Sequence, residues 1–154
     1  MNEIEVSSNA SVLAVMRRVE DLYKNVMVKN VDYGTIPGCG PKPVLLKSGA
    51  EKLNLAFNLY ADVVHEEITE LNDFHRDYKI KIALISRKTG ETIGTGIGEA
   101  STLEKKFKRE NPPDIYNTVY KMAKKRALVD ADLTALGASV MFTQDLIEKE
   151  EESQ

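Results

Sequence analysis

The chain has little of what most enzyme chemistry uses. It carries one cysteine, Cys39, and two histidines, His65 and His75, in 154 residues. A lone cysteine permits no intrachain disulfide and no cysteine-based metal cluster. The histidines share no ligand spacing with each other or with Cys39, so each reads as a surface or turn residue and no metal is expected. Cys39 stands between Gly38 and Gly40 with no neighbouring base, which describes an exposed thiol better than a nucleophile. No run of about eighteen apolar residues occurs, so no membrane span is expected. The opening MNEIEVSSN lacks the basic-then-apolar order of a secretory signal, and a cytoplasmic location is the expectation.

Two glycine-rich stretches also fail as nucleotide sites. Gly94, Gly96 and Gly98 in GTGIGEAS do not follow the G-x-G-x-x-G spacing. Lys42 is followed by Pro43 where a P-loop needs serine or threonine. With no catalytic pair in view, the expectation is a protein that is not an enzyme and needs no cofactor.

What is present is an ordinary globular composition, 42% apolar and 29% charged, in a length suited to one domain with a real core. The net charge of −3 is unevenly laid out. The segment Asp145–Gln154 sums to −4, and the block from Glu104 to Arg126 to +5. That block holds Lys105, Lys106, Lys108, Arg109, Lys121, Lys124, Lys125 and Arg126 against three acids. A basic block beside an acidic tail points to a polyanionic partner; a solvated helix face with a soluble frayed end is the plainer reading. The expected organisation is one α+β domain over residues 1–140 and a flexible acidic tail over 141–154.

Helical spacing runs through Ser11–Val28, with Ser11 as the expected cap. A second helix starts at KSGAEKLNLAFNL, where Ser48 and Glu51 have the spacing of a capping box. The glycine–proline run before it, IPGCGPKP, cannot be helical. Three strands are expected in ADVVHEEITEL, DYKIKIALISR and ETIGTGIGEA. The second alternates Tyr78, Ile80, Ile82 and Leu84 with Lys79, Lys81, Ala83 and Ile85. RKTGE is a hairpin turn and NDFH another. A long helix follows from about Asp114 to Leu136, capped by Asp114 or Asn117, with Gly137 placed to end it. Its buried stripe is expected to be Ile115, Val119, Met122, Leu133 and Leu136. The predicted fold is a three-stranded antiparallel β-meander with N-terminal helices and the last helix packed on the sheet.

Lys121, Lys124 and Lys125 share one helix face, where such a stripe can track phosphates. Arg126 lies at the border of the buried stripe. Tyr116 and Tyr120, one turn apart, are candidates for stacking on bases.

Two separated stretches resemble the single-strand annealing proteins, the Rad fifty-two recombination mediators and their phage relatives. In that family a P-G-G-G-G-x-K-V loop precedes an I-N-L-A-N helix; here Pro37, Gly38, Gly40 and Val44 match the loop, and EKLNLAFNLYADV matches the helix. A G-x-G segment follows, here GTGIGEAS, and a closing helix with K-R-A-L, here Lys125, Arg126, Ala127 and Leu128. Element order agrees from about residue 11 to 140. Three family positions differ. Ile36 replaces the arginine before Pro-Gly, Lys121–Met122 replaces Thr-Asp, and Tyr60–Ala61 replaces an aromatic Gly-Trp. The resemblance implies a non-enzymatic protein that binds single-stranded DNA and anneals complementary strands, assembled as a homo-oligomeric ring or filament. It implies a groove between the glycine loop, with Lys42 and Lys47, and the K-R-A-L helix, with Lys121, Lys124, Lys125 and Arg126. Two roles are open for the acidic tail: competing for that groove, or recruiting a host single-strand-binding protein. The alternative function is a protein-binding module of a mobile element that targets a host replication or defence factor.

Overall fold

A computed structural model describes residues 3–35 and 41–144. The glycine loop from Ile36 to Gly40, with Cys39, and the acidic segment from Asp145 onward lie outside the described residues.

The chain runs α1 (Asn9–Asn25), β1 (Tyr33–Gly34), β2 (Val44–Leu45), α2 (Lys47–Ala56), β3 (Leu59–Glu70), β4 (Arg76–Ser86), β5 (Thr92–Ser101) and α3 (Tyr116–Ala135). β3, β4 and β5 form an antiparallel sheet in that order. This is the predicted α+β meander. α3 lies across one face, where Tyr78, Ile80, Ile82 and Leu84 are all buried. Their period of two thus marks the covered face of β4. At the β4–β5 turn, Gly90 adopts φ 75°, a left-handed conformation that glycine takes without steric cost.

The helix starts differ from the expected ones. α1 begins earlier, and its cap is Ser8, whose hydroxyl accepts from the Ser11 N–H at 3.1 Å. The Ser48–Glu51 capping box does not form. α2 starts at Lys47 behind Leu46 with no side-chain cap, and the Ser48 hydroxyl donates to the Val31 carbonyl at 2.6 Å. The reason lies in Asp32, which is fully buried. Its carboxylate accepts from the Val28 N–H at 2.8 Å and from the Lys52 ammonium. Its backbone carbonyl accepts from the Leu46 N–H at 3.0 Å. The turn after α1 is thereby fastened to the start of α2, and Ser48 sits inside the first turn. α3 is likewise entered without a side-chain cap, through a 3-10 turn at Pro112–Ile115. Gly137, at φ 60°, ends it as expected.

A second, two-stranded sheet was not expected. Tyr33 pairs with Leu45 and Gly34 with Val44, so the glycine loop connects β1 to β2. Thr143 adds to this sheet: its N–H donates to Pro43 and its carbonyl accepts from Leu45.

α3 also buries residues beyond the expected stripe. Ala123, Ala127 and Ala131 are fully buried, and with Ala135 they form a ridge at a spacing of four. It runs opposite Gly98, Gly96 and Gly94. A methyl group on Gly98 would overlap the backbone of Ala123 and Ala127, and one on Gly96 that of Ala127 and Ala131. A methyl on Gly94 would stand 2.7 Å from the Ala135 side chain. The match is metric: four residues of helix advance about 6 Å and two of strand about 6.6 Å. The glycines of GTGIGEAS are a track for a helix. Ile115, Val119, Leu133 and Leu136 are buried as expected, while Met122 is only half-buried.

Candidate nucleic-acid interface

The α3 face turned away from the glycine track borders a groove of about 810 Å³, closed by α2 and the start of β3. Lys121, Lys124 and Lys125 reach it from α3, Lys47 from the first turn of α2, and Arg87 from the β4–β5 turn. Glu51 is the only acid among the described residues that line it. Beneath this basic rim the wall is apolar: Leu55, Leu59, Met122 and Leu128. Leu55 is 72% exposed, a large apolar side chain presented to solvent beside five cations. Tyr60 lines the same groove, with the Arg87 guanidinium 5.7 Å from its ring centre.

Lys47, Lys121, Lys124 and Lys125 are therefore brought together as the sequence reading grouped them. The remaining predicted site residues lie elsewhere. The Lys42 ammonium donates to the Ser139 carbonyl at 2.7 Å. Lys105, Lys106, Lys108 and Arg109 follow β5, on and after a 3-10 turn at Lys105–Phe107, and line no part of the groove. Tyr116 donates to the Phe74 carbonyl at 2.6 Å, with the Arg76 guanidinium 4.0 Å from its ring centre. Tyr120 donates to Glu66 and meets Tyr78 edge to face. Both tyrosines are thus directed onto the sheet.

Arg126 points to the other side of α3. It forms a two-pronged ion pair with Glu104 at 2.9 and 3.0 Å and donates to the Glu99 carbonyl at 2.8 Å. One turn on, Asp130 accepts from the Ile97 N–H at 2.9 Å. Two side chains at i and i+4 on α3 thereby occupy a carbonyl and an N–H on the outer edge of β5, which blunts it against pairing with another strand. Burial alone would raise the Glu104 carboxyl, but Arg126 and the Ser101 N–H outweigh it and hold the group below its ordinary range.

Behind the groove, Asn54 of α2 faces Asp132 of α3. Asp132 is fully buried, and neither of its oxygens has a hydrogen bond in good geometry. Burial pushes its carboxyl up to about 8, with Asn54 pulling it only partly back. At neutral pH the group is mostly protonated, so it adds little negative charge beneath the lysines.

Sequence reasoning missed Arg87 and Tyr60 as groove residues. Tyr60 had a signal, since it sits where the resembling family carries an aromatic Gly-Trp. Arg87 had none, because its place depends on how the hairpin ends against α2. Among the described residues, no group of three or more histidine, cysteine or acidic side chains could hold a metal. Nor, among the described residues, is any helix long and apolar enough to cross a membrane. No protein-family model matches the chain, and no curated protein is significantly similar to it.

Proposed function

We propose that the chain binds single-stranded DNA along this groove and promotes annealing of complementary strands, working as a homo-oligomer and without catalysing any bond change. The observation that carries the reading is the convergence of Lys47, Arg87, Lys121, Lys124 and Lys125 on one groove that has a single acid among its described lining residues. Such a rim tracks a sugar–phosphate backbone whatever the sequence. The exposed apolar wall and Tyr60 suit unpaired bases, whose faces gain from stacking. Neutralised and extended strands then find each other by base pairing.

Assembly draws support from α1. Val12, Leu13, Val15 and Met16 in its first half are 38–50% exposed, an apolar patch that a neighbouring chain would cover. The same patch also favours the second reading, a protein-binding module directed at a host replication or defence factor.

The two readings separate in a salt titration of a fluorescent oligonucleotide. For single strands the slope of log affinity against log salt is about −0.7 per phosphate neutralised. Lys121→Ala, Lys124→Ala and Lys125→Ala should each weaken binding equally for all sequences and flatten the slope by about one contact. A triple variant that folds and binds with unchanged affinity and slope overturns the groove assignment.

A further inference from the structure

We propose that the chain's own acidic segment, residues 145–152, docks into the basic groove and competes there with nucleic acid. The inference rests on the groove assignment above and names its resident occupant. Three observations carry it.

The first is attachment. The last described residues are fastened to β2 and to α3. The Thr143 N–H donates to Pro43 at 2.9 Å, and the Gln144 side-chain amide donates to the carbonyl of Arg126 at 3.1 Å. The residues just before the segment are thus fixed to α3 at Arg126, which follows Lys125 in the chain, and to β2, which leads directly into Lys47.

The second is reach. Eight residues span up to about 26–29 Å when extended, whereas α3 from Arg126 back to Thr118 covers about 12 Å. The segment can run the whole basic face.

The third is chemistry. Asp145, Glu148, Glu150, Glu151 and Glu152 bring five acids, and Leu146 and Ile147 follow the first of them. The groove offers five cations above an apolar wall that includes the exposed Leu55. An order of apolar residues near the anchor and acids beyond it fits a surface that has both. The other basic cluster, Lys105 to Arg109, is flanked by Glu104 and Glu110, and its side of α3 is already taken by the Arg126–Glu104 pair.

Carbodiimide, which joins a carboxylate to an amine in contact with it, tests the docking in the full chain. At about 50 mM salt, where exposed charges are weakly screened, mass spectrometry should find tail carboxylates joined chiefly to Lys47, Lys121, Lys124 and Lys125. In a mixture of isotopically light and heavy chains the links should be within one chain. Links chiefly to Lys105, Lys106 and Lys108, links spread evenly over surface lysines, or links chiefly between chains overturn the docking. The second arm uses the full chain with Asp145→Asn and Glu→Gln at 148, 150, 151 and 152. It should bind a labelled single strand about tenfold more tightly at low salt, with the gain vanishing as salt screens both partners. Unchanged affinity in a chain that does bind DNA overturns the competition. Groove links in a chain that binds no DNA uphold the docking and overturn the DNA reading alone.

Discussion

Gly98 of β5 lies between Ala123 and Ala127 of α3, closer to the helix backbone than any side chain allows. The contact joins the sheet to the helix that carries three of the five groove cations, so it sets where the rim stands. Gly98→Ala would have to push helix backbone aside, since no flexible side-chain end can yield. Overpacking of this kind costs about 1–3 kcal/mol, and a rigid backbone neighbour places it at the upper end. Urea unfolding of Gly98→Ala and Gly96→Ala should show losses near 3 kcal/mol or failure to fold. Gly34→Ala, which meets nothing within 4 Å, should lose much less.

Neighbouring residues on α3 should behave in opposite ways. Arg126 is 13% exposed and paired with Glu104 at 28%, whereas Lys121 and Lys124 are exposed. Arg126→Ala should lower stability by about 2 kcal/mol, the scale of charge-assisted hydrogen bonds to a partly buried partner. Lys121→Ala and Lys124→Ala should stay within about 0.5 kcal/mol of the parent. Denaturant midpoints measure this; equal effects at Arg126 and Lys124 would remove the structural role of the ion pair. The depressed Glu104 carboxyl also sets a pH dependence. Its contribution is present above the ordinary carboxylate range and is lost as pH falls through the lowered value. Glu104→Gln should flatten that acid limb.

Asp132 predicts the opposite sign. Its carboxyl in the folded protein titrates at about 8, against about 3.9 in an unfolded chain. Below pH 4 both states are protonated and there is no penalty. Between 4 and 8 the unfolded state ionises while the folded one stays neutral, so stability falls with rising pH, and above 8 the loss levels off. Asp132→Asn should remove this slope and be at least as stable as the parent at pH 7.5. A parent and variant with parallel pH profiles from 4 to 9 would show that Asp132 is ionised in the fold.

The exposed first half of α1 predicts a separation of assembly from folding. Leu13→Glu with Met16→Glu should leave the unfolding midpoint nearly unchanged, because both side chains are about 40% exposed. Sedimentation at tens of micromolar should show the parent associated and the variant shifted towards monomer. Identical distributions for the two would place any interface elsewhere.

Much of the architecture was legible in the residues. The alternation from Tyr78 to Ile85, the turn at Gly90 and the stop at Gly137 are local signals, each set by the geometry of one or two residues. The lysine stripe was legible too, because a helix puts residues three and four apart on one face. Two of the three misread helix starts involve a serine. Ser48 and Ser11 have the right spacing for caps, but a cap competes with any other partner the fold supplies. The Val31 carbonyl engages the Ser48 hydroxyl, and Ser8 caps α1 one turn before Ser11.

The groove was only half legible. Lys47 and Lys125 are far apart in the chain, and Arg87 belongs to neither of their elements; packing alone brings them to one rim. Arg126 follows Lys125 directly, and a step of about 100° around the helix sends it to the opposite side, onto Glu104. The alanine–glycine track was invisible to hydrophobic pattern, since small residues carry little apolar signal. What the sequence by itself determined is the order of elements and the charge each one carries, because these depend on backbone preferences over a few residues. Which charges face the groove and which are committed to the fold was decided by tertiary packing, where the advance of α3 along β5 sets its rotation and position over the sheet.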